Sequence, residues 1–231
     1  MNNIKLITFD LDDTLWDIGP VIIKAELTTR KYIEEKVGAI DWGDMESFLN
    51  LRKDLVKEDP SLEWDIGKLR KEIFRIKLAP LASNQAELDT LTEDSYKYFL
   101  DKRHDIIFYD GAIAALGELA NLCDLGVLTN GNADIKKLGI DQYFKFSISS
   151  LDVKSNKPEL GHFEQALRLS NLEPNEVLHI GDHQVADMIG AIDAGFSALW
   201  FNNKQSNWEQ DISKPNEILD WHNYQTIKEV L

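Results

Sequence analysis

The sequence predicts an α/β protein, and three patterns along the chain carry this prediction. An apolar run, Leu6-Ile7-Thr8-Phe9, ends abruptly in acidic residues, as a buried strand of a parallel sheet would. A long block of helical periodicity follows over residues 20–103. From Tyr109 onward, helical and strand patterns alternate, which predicts parallel strands joined by right-handed crossovers. We therefore expect a Rossmann-like parallel sheet core flanked by helices, with an inserted α-helical domain. The predicted domains are a core of residues 1–15 and 106–231 and an insertion of residues 16–105.

Apolar residues at a spacing of 3.6 predict four helices in the insertion. The four apolar stripes cover residues 21–33, 45–56, 62–76 and 88–99. We expect Trp42 and Trp64 to pack between these helices, because buried aromatic rings most often supply packing area.

The remainder of the chain predicts the elements of the sheet core. Predicted helices cover residues 112–122, 159–170, 184–194 and 224–230, and predicted strands cover 125–129, 146–150, 177–181, 198–201 and a short segment after residue 215. In the helix over 184–194, helical spacing predicts that Val185, Ile189 and Ile192 face inward.

The charge balance limits the partners of the protein. The 25 basic and 40 acidic residues give a formal net charge of −15, and no basic run could follow a phosphate backbone. We therefore expect neither nucleic acid nor an anionic membrane as a partner. Cys123 is the only cysteine, which excludes an internal disulfide and fits a reducing cytoplasm. The sequence shows no secretory leader pattern and no membrane-spanning apolar run. We expect a soluble cytoplasmic protein that is a monomer or a homodimer.

Polar residues collect directly after four of the predicted strands. The carboxyl ends of parallel strands meet at one edge of a sheet, where ligands of such folds bind. The four groups are Asp10, Asp12 and Thr14; Thr129, Asn130 and Gly131; Lys157 with Pro158; and Gly181, Asp182 and Asp187. Together they supply a carboxylate nucleophile, a second carboxylate for proton transfer, a hydroxyl donor, a cation and oxygen ligands for a metal. This combination is typical of phosphoryl transfer.

The charges at this edge predict a divalent cation. If Asp10, Asp182 and Asp187 are ionised, three negative charges would repel an incoming phosphate. One Mg²⁺ together with Lys157 would cancel them, and carboxylate oxygens with water are the ligands that Mg²⁺ prefers. The simpler alternative is that the acidic turn after the first strand only starts a helix, since Asp and Thr are good helix caps.

These residues, in this order, resemble the four motifs of the haloacid dehalogenase superfamily. The matching segments are Asp10-Leu11-Asp12-Asp13-Thr14, Leu128-Thr129-Asn130, Lys157-Pro158, and Gly181-Asp182 followed by Asp187. The inserted helices resemble the helical cap domain that this superfamily places between its first and second motifs. The resemblance spans most of the chain and implies a hydrolase.

The resemblance also implies a role for each residue of the site. Asp10 would attack phosphorus and form an aspartyl-phosphate, and Asp12 would activate the water that hydrolyses it. Thr129, Asn130 and Lys157 would bind the substrate phosphate. The implied Mg²⁺ ligands are Asp10, Asp182 and the backbone carbonyl of Asp12, with Asp187 holding either the metal shell or Lys157.

The superfamily contains several chemistries, and Asp12 favours a phosphatase among them. Dehalogenases and phosphonate hydrolases resemble this pattern but lack the second acid, whereas phosphomutases more often have glycine where Asp13 stands. The segments Phe9–Asp17 and Thr129–Ala133 are similar to those of bacterial phosphatases acting on flavin mononucleotide and on 5-amino-6-(5-phosphoribitylamino)uracil. We expect Mg²⁺-dependent hydrolysis of a small phosphomonoester, with Trp16 or Trp64 as candidates to stack on its ring.

Other interpretations stay open at this point. Within the superfamily they are a nucleotide or sugar phosphatase, a phosphomutase and a dehalogenase. Outside its chemistry they are a non-catalytic binding protein and a signalling receiver domain, although a receiver is far shorter and lacks a helical insertion. His183 stands where the fourth motif more often has a small polar residue, and the sequence does not decide whether His183 or Asp13 contributes to the site.

Overall fold

The computed structural model describes residues 4–228, and the chain divides into two compact units. One, here called the sheet unit, contains the chain up to Ile18 and from Ile106 onward. The other, the helical unit, is Gly19–Asp105. The predicted first boundary, after residue 15, lies before the observed one, because Trp16 is fully buried in the core of the sheet unit.

The sheet unit begins with β1 (Leu6–Phe9), in which every residue is buried. Ile7 and Phe9 pack into one core cluster and Leu6 packs into another. Because successive side chains of a strand point to opposite faces, both faces of β1 are covered. This is the position that its continuous apolar sequence predicts.

The helical unit is built from α-helices joined by short connections. These are α1 (Ile18–Val37), which starts at the unit boundary, α2 (Met45–Glu58), α3 (Ile66–Leu78) and α4 (Gln85–Lys102). Asp44, Asp65 and Asn84 cap α2, α3 and α4, each accepting a backbone N–H from the residue three positions later.

The core of the helical unit agrees with the predicted stripes in part. One buried apolar cluster of this unit is Ala25, Ile33, Phe74, Leu78, Leu88 and Phe99, and a second is Leu62, Leu69 and Ile73. Trp42 packs edge-on against Phe74, with ring centroids 6.4 Å apart, as expected. Met45, Leu49 and Ile76 were expected on the inner faces but are exposed. For Met45 and Leu49 the reason is that α2 has no buried residue and covers the outside of its neighbours.

The sheet unit continues after the helical unit with alternating elements. They are α5 (Ala112–Leu119), β2 (Asp124–Thr129), β3 (Phe146–Ser149), α6 (Ser150–Val153), α7 (Gly161–Ser170), β4 (Val177–Gly181), α8 (Gly190–Asp193), β5 (Ser197–Phe201), β6 (Asn216–Ile218) and α9 (Gln225–Lys228). The predicted final helix extends to residue 230, and its last two residues lie outside the described part of the chain.

The strands form one sheet in the order β3-β2-β1-β4-β5-β6, and every pairing among the described strands is parallel. The predicted fold class is therefore confirmed. Because β2, β1 and β4 lie side by side and run in one direction, their carboxyl ends open at the same edge of the sheet. The residues that follow Phe9, Thr129 and Gly181 are neighbours there.

The predicted helix over residues 184–194 differs from expectation. It consists of a π-helical turn, Gln184–Ile189, followed by α8. The Met188 N–H bonds to the His183 carbonyl, five residues earlier. This wider turn shifts the phase of the helix, so Val185 and Ile192 are exposed although they were predicted to face inward. The buried residues are instead Asp187, Met188 and Ala191.

Across residues 4–228, no helix combines the length and the apolar character needed to cross a membrane. The cytoplasmic location and the monomeric or homodimeric state stay predictions.

Candidate active site

A tight turn after β1 presents Asp10 at the edge of the sheet. The Asp10 N–H donates to the Ile180 carbonyl of β4 at 2.9 Å, which holds the chain against the sheet beyond the end of the strand. The Leu11 carbonyl then accepts the Thr14 N–H at 3.2 Å, so the chain turns back at once. Asp13 takes a left-handed backbone conformation within this turn, with φ of 62°. The turn directs consecutive acidic residues to different places.

All of the residues predicted for the site line one cavity of about 310 Å³. They are Asp10, Asp12, Thr129, Asn130, Lys157, Asp182 and Asp187, and the wall also contains Asp13, Gly131, His183 and Ala186. The order of the strands explains this meeting, because β1 lies between β2 and β4. The structure brings the predicted residues together, while the role of each stays a prediction.

Lys157 is the buried cation of this cavity. Its Nζ donates to Asp10 Oδ1 at 2.8 Å, to Asp187 Oδ1 at 2.6 Å and to the Leu128 carbonyl at 2.6 Å, which uses all three ammonium hydrogens. Burial alone would lower the pKa of Lys157, but the charges of Asp10 and Asp187 raise this pKa above its ordinary value. The side chain is therefore held as an ammonium between two carboxylates.

Asp187 holds Lys157 and the loop after β4 together. Its Oδ1 accepts from Lys157 and, at 3.3 Å, from His179 Nε2, while its Oδ2 accepts the His183 N–H at 2.9 Å. Burial would raise the pKa of Asp187, yet Lys157 and His179 hold this pKa below its ordinary value. Both carboxylate oxygens are thus engaged by the protein. Of the two roles implied for Asp187, this geometry favours holding Lys157.

Asp10 and Asp182 are carboxyl groups of this cavity whose pKa values are raised. Burial raises the pKa of Asp10 well above its ordinary value, although Lys157 opposes the shift. Burial and the nearby charges of Asp187 and Asp13 raise the pKa of Asp182 to about 7. The two carboxylates are linked through Thr14, whose Oγ1 lies 3.5 Å from Asp10 Oδ2 and 3.3 Å from Asp182 Oδ1.

This acidic cluster fits a divalent cation. Asp10, Asp182 and Asp187 each offer a carboxylate oxygen, and these oxygens lie within 4.8 Å of one another. Hard oxygen donors of this kind suit Mg²⁺. Because the oxygens of Asp187 are engaged elsewhere, Asp10 and Asp182 are the better ligands. Burial is the main cause of the raised pKa values of Asp10 and Asp182, and neighbouring carboxylates add to it. A bound cation would favour the ionised form of both groups.

Asp12 lies at the wall of the cavity and is half-buried. Its Oδ1 accepts the indole Nε1–H of Trp16 at 2.9 Å, which orients the carboxyl group. Trp16 is fully buried, so it cannot stack on a substrate as one expectation proposed. The ring packs edge-on against Phe108, with centroids 5.6 Å apart. Trp16 therefore serves the site by supporting Asp12.

Thr129 and Asn130 end β2 with different roles. The Thr129 hydroxyl accepts the Gly131 N–H at 3.0 Å, which leaves its own hydrogen for another acceptor. The Asn130 side chain pairs with the backbone of Lys157: its Oδ1 accepts the N–H at 2.7 Å and its Nδ2 donates to the carbonyl at 3.0 Å. The Asn130 side chain is thus occupied in fixing Lys157. The prediction that Asn130 binds phosphate concerns its backbone N–H and stays a prediction.

The sequence reasoning did not assign a role to His179 or Thr8. These residues are register partners on β4 and β1, and both are fully buried. Thr8 Oγ1 lies 2.9 Å from His179 Nδ1, and His179 Nε2 contacts Asp187. Burial lowers the pKa of His179 and keeps the ring neutral, so Nε2 carries the hydrogen that Asp187 accepts. Two polar residues inside apolar strands were the available signal, because buried polar groups need partners.

The chain belongs to the haloacid dehalogenase-like hydrolases, because the sequence profile of this family matches residues 4–195. The predicted family and the prediction of a hydrolytic enzyme are thereby confirmed.

The names of individual relatives include a dehalogenase and two phosphatases. The chain is similar to the crystal structure of 2-haloacid dehalogenase from Pseudomonas syringae pv. Tomato DC3000, with 34% identity, a TM-score of 0.91 and coverage of 98% of this chain and 99% of that one. It is 26% identical over 210 residues to the 5-amino-6-(5-phospho-D-ribitylamino)uracil phosphatase YigB of Escherichia coli K12, covering 91% of this chain and 88% of YigB. It is 24% identical to the glyceraldehyde 3-phosphate phosphatase of Methanothermobacter thermautotrophicus, over 99% of this chain and all of the relative.

Proposed function

We propose that this protein is a phosphatase that hydrolyses a small phosphomonoester through an aspartyl-phosphate on Asp10. The observation that carries the proposal is the presence of two carboxyl groups, Asp10 and Asp12, in one cavity with Lys157. A hydrolase that attacks with one carboxylate needs a second group to protonate the leaving alcohol and to activate water. In this proposal Asp12 has that task, and the hydrogen bond from Trp16 to its carboxyl group supports the assignment.

The reaction then proceeds in two displacements. A carboxylate oxygen of Asp10 bonds to phosphorus, the ester P–O bond breaks, and the leaving oxygen takes a proton from Asp12. Asp12 next removes a proton from water as the water oxygen bonds to phosphorus. The bond between the Asp10 oxygen and phosphorus breaks in this step, which releases inorganic phosphate and restores the Asp10 carboxylate. The Thr129 hydroxyl and the Asn130 backbone N–H would donate to phosphoryl oxygens. Lys157 holds Asp10 in place through the bond to Oδ1.

Mg²⁺ is the proposed cofactor, held by Asp10, Asp182 and the backbone carbonyl of Asp12. Its contribution when bound is to neutralise negative charge on the phosphate and the carboxylates. The support comes from the acidic cluster, in which the oxygens of three Asp residues lie within 4.8 Å. We expect activity to disappear in a chelator and to return with Mg²⁺. Ca²⁺ should support little activity, because it takes longer bonds and more ligands.

The proposed substrate is a ribityl phosphate such as 5-amino-6-(5-phosphoribitylamino)uracil or flavin mononucleotide. The similarity to YigB over 91% of this chain supports this choice. The glyceraldehyde 3-phosphate phosphatase, similar over 99% of the chain, supports small phosphate esters as the wider class. We further propose that the helical unit, Gly19–Asp105, acts as a cap that selects the substrate and excludes polymers.

A second candidate function is hydrolysis of a 2-haloacid. The 34% identity and the TM-score of 0.91 to a structure named as a 2-haloacid dehalogenase favour it. In that reaction Asp10 would bond to the carbon that carries the halogen, the carbon–halogen bond would break, and water would hydrolyse the resulting ester. A halide leaves without being protonated, so Asp12 would have no proton to donate in such a reaction. For this reason we place it second.

One experiment separates the two functions. Purified protein with Mg²⁺ is given a panel of flavin, ribityl, nucleotide, sugar and small-acid phosphates, and 2-chloropropionate separately, with phosphate and chloride release measured. We expect phosphate release from at least one ester, no chloride release, and loss of activity in Asp10→Asn. Chloride release without phosphate release would reverse the assignment. A kcat/KM for ribityl phosphates well below that for sugar phosphates would remove only the choice of substrate.

A further inference from the structure

His183 is the one residue of the fourth motif that departs from the pattern expected of the family, and its imidazole has a fixed orientation. The ring caps the π-helical turn that follows: Nδ1 accepts the N–H groups of Val185 and Ala186, each at 3.1 Å. A ring nitrogen that accepts cannot carry a hydrogen in a neutral imidazole, so the hydrogen lies on Nε2. The cap therefore sets the tautomer and leaves Nε2–H as a donor. Within residues 4–228, no group bonds to this Nε2.

The backbone of His183 is fixed as firmly as its ring. Its N–H donates to Asp187 Oδ2 at 2.9 Å, and its carbonyl accepts the Asp187 N–H at 3.0 Å. The N–H groups of His183, Val185 and Ala186 are thus used by the protein itself. What remains for a ligand is the outer edge of the imidazole, which is exposed.

His183 stands at the junction of two cavities. Together with Asp182 it lines the cavity of the carboxylate site, and the same two residues line a neighbouring cavity of about 360 Å³. Lys204, in the wall of the neighbouring cavity, lies 3.4 Å from Asp13 Oδ2 in the wall of the first. The two cavities therefore adjoin along a polar border.

The other polar side chains of the neighbouring cavity are largely engaged in building its wall. Gln184 donates to the Asn207 carbonyl at 2.7 Å and accepts the Glu209 N–H at 2.9 Å. Asn202 donates to Ser206 and Glu217 and accepts the Ser206 N–H. These amides hold the loop between β5 and β6. His183 Nε2–H and the Lys204 ammonium, which also contacts Asp13, are donors in this wall for an oxygen-bearing molecule.

We propose that this neighbouring cavity receives the alcohol part of the substrate and that His183 Nε2–H donates to one of its oxygens. The inference rests on the proposed phosphatase function and extends it to a substrate class: phosphomonoesters of polyols or sugars. The phosphate would lie among Asp10, Thr129 and Lys157, and the hydroxylated chain would run past His183 toward Lys204. His183 is then a specificity-determining residue, because it contacts the leaving group without taking part in bond making.

The test compares ribitol 5-phosphate with pentyl phosphate, which has the same carbon chain without the hydroxyl groups. In His183→Asn the short side chain still caps the turn, since Asn is a good N-cap, but the donor at the Nε2 position is lost. We expect this variant to lower the ratio of kcat/KM for ribitol 5-phosphate to kcat/KM for pentyl phosphate about tenfold, the size of one lost hydrogen bond. The midpoint of thermal unfolding should stay near that of the wild type.

Two further variants keep the outcome interpretable. His222→Asn changes another exposed histidine of the sheet unit, one that bonds to Asp110 and lines neither cavity, and should leave the ratio unchanged. His183→Ala should lower both the ratio and the thermal midpoint, because it also removes the cap. An unchanged ratio in His183→Asn, or an equal loss with both esters, would overturn the proposal. If the wild type hydrolyses neither these esters nor any other phosphomonoester, the proposed function fails first and this inference falls with it.

Discussion

The ion pairs of Lys157 in the sheet unit and the pair of Lys68 with Asp59 in the helical unit differ sharply in how far their charges are exposed to water. The Lys157 side chain is 1% exposed between Asp10 and Asp187, whereas in the helical unit the Lys68 side chain is 48% exposed beside Asp59. Taking charges out of water costs several kcal/mol, and only a closely fitted partner offsets that cost. A surface pair has little such cost and little net effect. Net stabilisation therefore does not explain why the sheet unit buries Lys157 between Asp10 and Asp187. We propose that these charges are kept for catalysis.

The largest effect should come from removing the buried cation. Lys157→Met leaves Asp10 and Asp187 without their partner, and we expect the unfolding free energy at pH 8 to fall by about 3–5 kcal/mol. Urea denaturation in the presence of chelator measures this. The matched variant of the helical unit, Lys68→Met, should leave the denaturation midpoint essentially unchanged. Equal effects of the two substitutions would remove the distinction between the units.

Substitution of a glycine provides a second comparison between the two units. A Cβ at Gly181 would lie 2.3 Å from Asp187 Cγ, and this carboxylate cannot move without releasing Lys157. We expect Gly181→Ala to destabilise the protein by about 1–3 kcal/mol or more, as other buried steric changes do, and activity should fall in parallel. In the helical unit a Cβ at Gly67 would meet Tyr96 Oη at 2.5 Å, the far end of a side chain that can swing away. Gly67→Ala should therefore be tolerated, and thermal unfolding of both variants provides the check.

Acid should weaken the sheet unit through His162. This residue is fully buried, its Nε2 lies 3.1 Å from the Thr129 carbonyl, and burial lowers the pKa of His162 to about 4. Because the unfolded chain has a histidine pKa near 6.5, it binds a proton first as the pH falls, and stability is lost between about pH 6.5 and pH 4. For one such group the loss between pH 7 and pH 5 is about 2 kcal/mol.

The variant His162→Gln should lose less stability than the wild type over the same pH interval. Urea titrations at pH 7 and pH 5 give the two differences. An identical pH dependence in the variant would show that another group is responsible.

The change with the most specific effect on activity concerns His179. His179→Leu removes the donor to Asp187 and the acceptor for Thr8, which should cost about 1–3 kcal/mol and lower kcat. In His179→Gln the amide can still donate near the Nε2 position, so it should recover part of kcat without a matching change in KM. Steady-state assays on both variants test this. If Gln and Leu behave alike, His179 is a packing residue only.

The features of this protein that its sequence predicts correctly depend on local patterns. Strand ends can be identified from apolar runs, so the amino-acid order alone places Asp10, Thr129 and Asp182 at one edge of a sheet. Contacts between distant segments are not accessible in this way. The pairing of Asn130 with the Lys157 backbone and of His179 with Thr8 depends on strand register and loop geometry.

Two predictions were wrong because they were made from the spacing of residues along the chain alone. The phase of the residues after His183 was mispredicted because a π-helical turn breaks the spacing of 3.6. Trp16 was assigned to the insertion because sequence periodicity does not reveal which unit a buried aromatic joins.

In the proposed mechanism Asp10 forms a covalent bond to phosphorus and Asp12 moves the protons. In Asp12→Asn, transfer to Asp10 can still occur when the leaving group needs no proton, as with an aryl phosphate, but hydrolysis of the intermediate should be slow. Rapid acid quench followed by mass spectrometry should therefore find a phosphoryl group on Asp10 in this variant. The double variant with Asp10→Asn should carry none. A wild-type enzyme that releases phosphate, combined with an Asp12→Asn variant that hydrolyses at the full rate and never carries phosphate on Asp10, would contradict the account.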